Sequence, residues 1–144
     1  MAFTITPVEY FYADVRDELG AAYRVLSRFA ERGVELLAFT AMPTGPHRAQ
    51  FALFPEDSNR LLAEARAVGL RLDGPHHALL VQGDDELGAF ADVHERLVEA
   101  GVDVYASTGV VDGNGSFGYI VYVRDQQFEM AAAVSLQSMI GAGR

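Results

Sequence analysis

The residues best equipped for chemistry in this 144-residue chain come in two matched sets, Asp17-Glu18-Leu19-Gly20-Ala21 and Asp85-Glu86-Leu87-Gly88-Ala89. Each reads as the opening of a helix, with Asp17 and Asp85 as N-caps and an apolar series following at helical spacing. A helix opening exposes unpaired backbone N–H groups and a partial positive charge, so a small carboxylate can dock there without a dedicated side chain. Gly20 and Gly88 suit that role because a missing Cβ lets a ligand approach the backbone. The carboxylates of Asp17, Glu18, Asp85 and Glu86 compete for the same positive end while offering a partner to an ammonium group. The mixture fits a zwitterion better than a dianion. Taken singly, these acidic side chains are also ordinary helix-start chemistry, and that plainer reading leads for them.

Other candidates are weaker. The chain has no cysteine, so thiolate metal sites, disulfides and cysteine nucleophiles are excluded. His76 and His77 are adjacent and, on a strand, point to opposite faces, so they cannot share a tetrahedral metal. His94 replaces Leu26 of the first set on an otherwise apolar face, and a hydrogen-bonded core or interface histidine is the expectation. No metal site and no cofactor are expected.

The elements that position these residues are themselves duplicated. At an offset of 68 residues, 16 of the 50 aligned pairs from 17 to 66 are identical, against roughly three or four expected by chance. Gly33-Val34 meets Gly101-Val102, Thr40 meets Thr108, and Phe51 faces Tyr119, keeping apolar or aromatic character where a core needs it. Each copy reads as a strand (Glu9 to Val15; Ala78 to Val81), a helix running from Leu19 through Ala22 and Leu26 to Phe29, or from Leu87 through Phe90 and Val93 to Leu97, then a hairpin and a second helix. The hairpins are Val34 to Met42 with Ala49 to Phe54, and Val102 to Val111 with Phe117 to Val123; the second helices start near Glu56 and Asp125. A short strand at Leu70 to Leu72 completes the first module, and Phe3-Thr4-Ile5 is left to supply the equivalent strand of the second. Asp73-Gly74-Pro75 reads as a tight turn joining modules 1–73, with an N-terminal extension over 1–7, and 74–144. The predicted class is α+β: two tandem ferredoxin-like βαββαβ modules with antiparallel sheets.

With the repeat in place, the sequence resembles the ACT domain family. The residues that carry the resemblance are a strand, then Asp-x-x-Gly-x opening a helix, then a Gly-Val pair before the next strand, here Asp17 to Ala21 with Gly33-Val34 and Asp85 to Ala89 with Gly101-Val102. One departure is Leu19 and Leu87 where many members carry proline. The resemblance implies modules side by side in one sheet with helices on one face, and an amino acid or related metabolite bound at the seam between them. It implies a site made of the two loops, Asp17, Glu18, Leu19, Gly20, Ala21 and Asp85, Glu86, Leu87, Gly88, Ala89, facing the second strand of the neighbouring module. Thr40, Ser107 and Thr108 lie on those second strands, where threonine is also ordinary. Ser107 against Phe39 makes the second copy the more polar, so two inequivalent pockets are expected, one of them empty or degenerate.

Composition narrows the partners. Half of the residues are hydrophobic, which is globular, and a net charge of −9 repels nucleic acid and anionic membrane surfaces. There is no secretory signal pattern and no run long enough to span a membrane, so a cytoplasmic protein is expected. The stretch Phe128 to Ile140 carries one charge in thirteen residues and calls for cover by a sister module or a homodimer partner. The leading reading is a non-catalytic regulatory protein that binds an amino acid, with a biosynthetic enzyme as a further partner. The alternatives are a ligand-free interaction subunit and a small enzyme of the dimeric ferredoxin-like barrel type.

Overall fold

The computed structural model describes residues 3–133. Six strands and three α-helices follow in the order β1 (Phe3–Arg16), α1 (Ala21–Glu31), β2 (Leu36–Gly45), β3 (Arg48–Pro55), α2 (Ser58–Val68), β4 (Asp73–Asp84), α3 (Ala89–Glu99), β5 (Val104–Val111) and β6 (Ser116–Val123), then a 3-10 turn at Asp125–Gln127 and helical backbone over 128–133. The fold is α+β. The chain divides into two compact units, one of residues 9–76 and one of residues 3–8 with 77–133. Strands β1 and β4 give part of their length to each. The stretch Phe128 to Ile140 lies outside the described residues beyond 133.

In the first unit β3 pairs antiparallel with both β1 and β2, placing Phe11 opposite Leu53 and Ala41 opposite Phe51. Phe11 and Leu53 lie on one face of the pleat and are closed over by Phe29 of α1 and by Leu61 and Ala65 of α2, all almost fully buried. In the other unit Leu79 and Val81 of β4 lie beside Val121 and Tyr119 of β6, under Val93 and Leu97 of α3. Phe3 and Ile5 of β1 are buried in this second core. The N-terminal segment thus supplies apolar strand residues to the unit whose other strands begin 70 residues later.

Each helix ends in one way, and the ending explains the repeated Gly-Val pair. Gly33 (φ 74°) and Gly101 (φ 76°) take the left-handed conformation, and the next N–H, of Val34 or Val102, donates back to the carbonyl of Phe29 or Leu97, 2.9 Å in both cases. That is a Schellman closure, and it buries the valine beneath the helix it ends.

Four sequence expectations are corrected. Asp17 and Asp85 do not cap the first helices. Gly20 and Gly88, both left-handed at φ 82°, stand at the N-cap with no side-chain cap, and the helices begin at Ala21 and Ala89. The N–H groups of Asp17 and Asp85 donate instead to the hairpin-turn carbonyls of His47 (2.8 Å) and Gly115 (2.9 Å). Leu19 and Leu87, read as the first apolar residues of each helix, precede it and are fully exposed. Leu70 to Leu72 form no strand, because Gly69 turns left-handed and the Leu70 N–H closes α2 onto Ala65, leaving Leu70 and Leu72 as side-chain cover for the core. Asp73-Gly74-Pro75 is not a turn but the start of β4. Gly74 is required there because a Cβ would lie 2.8 Å from the Phe11 ring and 2.9 Å from the Tyr10 carbonyl oxygen.

Asp57 does cap its helix, accepting from the N–H groups of Asn59 and Arg60, near the predicted start at Glu56.

Truncating Ile5 tests the shared strand. Ile5→Ala should lower stability by roughly 2–5 kcal/mol, while Thr4→Ala, at an exposed position of the same strand, should stay within about 0.5 kcal/mol. Urea unfolding followed by tyrosine fluorescence checks this, and equal midpoints for the two variants would contradict burial of Ile5.

Candidate functional site

The loop between β1 and α1 is short and pinned at both ends. The Asp17 N–H reaches the His47 carbonyl, and the Arg24 N–H closes onto the Gly20 carbonyl at 2.9 Å. Holding Gly20 left-handed sends the chain directly from strand to helix and turns Leu19 outward. The loop borders a recess of about 470 Å³ whose rim is Asp17, Glu18, Leu19, Gly20 and Ala21 and whose walls are Ala22 and Tyr23 of α1, Ala41, Met42 and Pro43 of β2, and Ala49 and Phe51 of β3. The five predicted loop residues are thus together, beside the second strand of their own unit. Thr40 is not among them; it sits opposite Ala52 and is half-buried.

The second loop repeats the backbone arrangement and changes the walls. Asp85, Glu86, Leu87, Gly88 and Ala89 border a recess of about 470 Å³, but its remaining lining is only Phe90, Ala91 and Phe117. At the offset of 68, Phe90 and Phe117 stand where the first unit has Ala22 and Ala49. Their rings meet edge to face at 5.5 Å, and Phe90 lies 4.7 Å from the Tyr119 ring. Gly109 makes room for them, since a Cβ there would sit 2.7 Å from Tyr119 and 2.9 Å from Phe90. The aromatic pair gives the second recess a different wall at the same volume, so the two recesses differ in lining and not in size.

Ser107 and Thr108 belong to this second unit and line neither recess. Thr108 lies opposite Ile120 and is exposed. Ser107 accepts a hydrogen bond from the Tyr119 hydroxyl (2.9 Å), whose oxygen is left to accept from an Nε2-protonated His94. The matching positions of the first unit are Phe39, Phe51 and Leu26, with Phe39 and Phe51 packed edge to face at 5.2 Å. A hydrogen-bonded His94 therefore belongs to a three-residue polar chain that replaces an apolar cluster. His76 bonds Asp73 at 3.3 Å and packs on Tyr10 and Tyr12, while His77 packs on Phe128. Among the described residues no group of three or more His, Cys, Asp or Glu side chains is placed to hold a metal.

Two features escape a reading by motif. At the other end of the first unit, Glu9, Glu35, Glu56, Asp57 and Arg60 line a polar recess of about 630 Å³. There the Glu56 carboxyl is held above its usual range, first by a hydrogen bond with the Glu35 side chain and then by repulsion from its charge. Beside the first loop, Arg16, Arg24 and Arg28 converge with Glu18 on a small cleft of about 170 Å³. The signal for the second was present in the aligned copies, since Arg16 and Arg24 meet Asp84 and Asp92.

No protein-family model matches the chain, and no curated protein matches it. Solved structures do. A protein of Bacteroides thetaiotaomicron superposes with a TM-score of 0.76 at 11% identity, covering 94% of this chain and 90% of its own. The regulatory subunit of aspartate kinase from Thermus thermophilus, in its ligand-free form, gives 0.66 at 16% identity, with 96% and 97% covered. The corresponding subunit from Thermus flavus gives 0.62 at 15%, with 96% and 95% covered. At such identities the likeness is one of fold, and the fold is ACT-like. No helix among the described residues is long and apolar enough to cross a membrane.

The Glu35–Glu56 pair yields a pH prediction. A carboxyl raised in the folded state stabilises below its unfolded value, and that contribution is lost as pH rises through the folded value. Glu56→Gln keeps a hydrogen-bonding group and removes one charge, so it should raise the melting temperature at pH 7 and leave it nearly unchanged at pH 3. Thermal melts across that range decide it; a gain confined to acid pH would reverse the assignment.

Proposed function

We propose that this chain is a regulatory protein of the tandem ACT type that binds an amino acid or closely related metabolite at its glycine-opened loops, where the resemblance sets the seam between modules. The observation that carries the proposal is the duplicated loop itself: in both units a left-handed glycine opens a helix directly over a recess. Backbone N–H groups at such an opening hold a carboxylate, and the neighbouring acidic side chains accept an ammonium group. Similarity to regulatory subunits of aspartate kinase supports a regulatory and not a catalytic role. In this reading the protein is cytoplasmic and works as a homodimer or on a biosynthetic enzyme, and occupancy of the loop biases the packing of modules or partner.

Isothermal calorimetry of the full chain against the twenty amino acids tests the proposal. At least one should give saturable heat that falls tenfold or more in Gly20→Val, where a β-branched side chain is forced into a left-handed backbone. Flat traces across the whole panel would overturn it.

A further inference from the structure

The charges around the two loops have diverged in opposite directions. Around the first stand Arg16, Arg24, Arg28 and Arg48 against Asp17 and Glu18; the matching positions around the second hold Asp84, Asp92, Arg96 and Ser116 against Asp85 and Glu86. Four arginines face two carboxylates in one unit, and one arginine faces four in the other. In a chain of net charge −9 the first cluster is a local reversal of sign.

The geometry gathers this charge onto one place. Arg16, Arg24 and Arg28 line the small cleft with Val15, Ala21 and Val25, and Glu18 stands between the guanidiniums at 3.6 Å from Arg16 and 3.2 Å from Arg24. One carboxylate of the protein thus shows that the arginines converge at carboxylate-binding distance. Arg28 adds a third guanidinium, and Arg48 lies directly opposite Arg16 across the β1–β3 pair, a placement of like charges that costs stability unless an anion offsets it. Glu18 and Ala21 line both this cleft and the apolar recess, so the two adjoin. Beyond them the recess is walled by Tyr23, Met42, Pro43 and Phe51, whereas the recess of the other unit, of equal volume, has Phe90 and Phe117 in its wall and no arginine beside it.

We infer that the first unit carries a site for a small organic carboxylate with an apolar body, its anionic end in the Arg16–Arg24–Arg28 cleft and its hydrocarbon part in the recess lined by Met42 and Phe51, and that the second unit lacks this site. The inference rests on the proposed small-molecule role and narrows its ligand class: an uncharged, apolar side chain is selected, and an ammonium group is tolerated beside Asp17 without being required. Glu18 swings away from the arginines as the ligand's carboxylate takes its place.

Titration of the full-length ¹⁵N-labelled chain with isovalerate, with isoamylamine as its cationic counterpart and with leucine, followed by amide shifts, tests this. Isovalerate and leucine should give saturable shifts over residues 18–28 and 41–51, and isoamylamine should give none there. Arg16→Asp, the residue the other unit uses, should weaken isovalerate at least tenfold. Ala22→Phe, which puts the other unit's aromatic side chain into the recess wall, should weaken its binding at least tenfold while amide dispersion stays native; both positions are outside the buried core, so the variants fold. Isoamylamine binding as well as isovalerate, or isovalerate binding unchanged by both variants, would overturn the site. Leucine shifts confined to residues 85–91 would overturn it too while sparing the regulatory reading, whereas silence from every amino acid and carboxylate would remove both.

Discussion

Each unit depends on one glycine held in a left-handed turn between its first strand and first helix. With Gly20 or Gly88 in that conformation the chain passes from strand to helix in four residues, and the preceding aspartate N–H reaches the hairpin turn of the same unit. An ordinary L-residue pays for positive φ with a clash between Cβ and carbonyl oxygen. The constraint sets where the helix begins, which side chains its first turn offers, and the fact that Leu19 and Leu87 face solvent instead of the core. The recess beside each loop follows from the same geometry.

On this common backbone the two units have been furnished differently. The first lines its recess with alanines at positions 22, 41 and 49; the second has Phe90, Gly109 and Phe117 at the matching positions, and Gly109 leaves room for the rings of Phe90 and Tyr119. The first packs Phe39 on Phe51, while the second runs a hydrogen-bonded chain from Ser107 through Tyr119 to His94. The first surrounds its loop with arginine and the second with aspartate. Backbone and capping interactions tolerate no such drift, because Gly33 and Gly101 must still close their helices onto Phe29 and Leu97. The two units share what the backbone requires and differ in the side chains that line it.

Errors in the sequence reading cluster where a residue serves a purpose other than the commonest one for its type. Aspartate before a helix is usually a cap, but Asp17 and Asp85 spend their main-chain N–H groups on a hairpin and leave the cap position to glycine. Leu70 and Leu72 look like a strand by composition, yet the Schellman closure at Gly69 uses that stretch as packing. Gly74 beside proline looks like a turn, but the glycine is there to admit the Phe11 ring and the Tyr10 carbonyl against a strand. For the aspartates and for Gly74 a contact distant in sequence overrides the local preference, and for Leu70 the closure of the preceding helix does.

The amino-acid sequence by itself determined the repeat and its offset, the strand–helix–hairpin order of each copy, the glycine-bearing loops, and the spare N-terminal strand residues Phe3 and Ile5. Periodicity and turn chemistry are local properties, and two copies of a pattern reinforce one another. Only the tertiary structure decided that Phe90 and Phe117 meet in the wall of one recess, that three arginines line a single cleft with Glu18, and that His94, Tyr119 and Ser107 form one chain. These residues come from different elements, and which of them touch is set by how helix and sheet pack, which no spacing along the chain encodes.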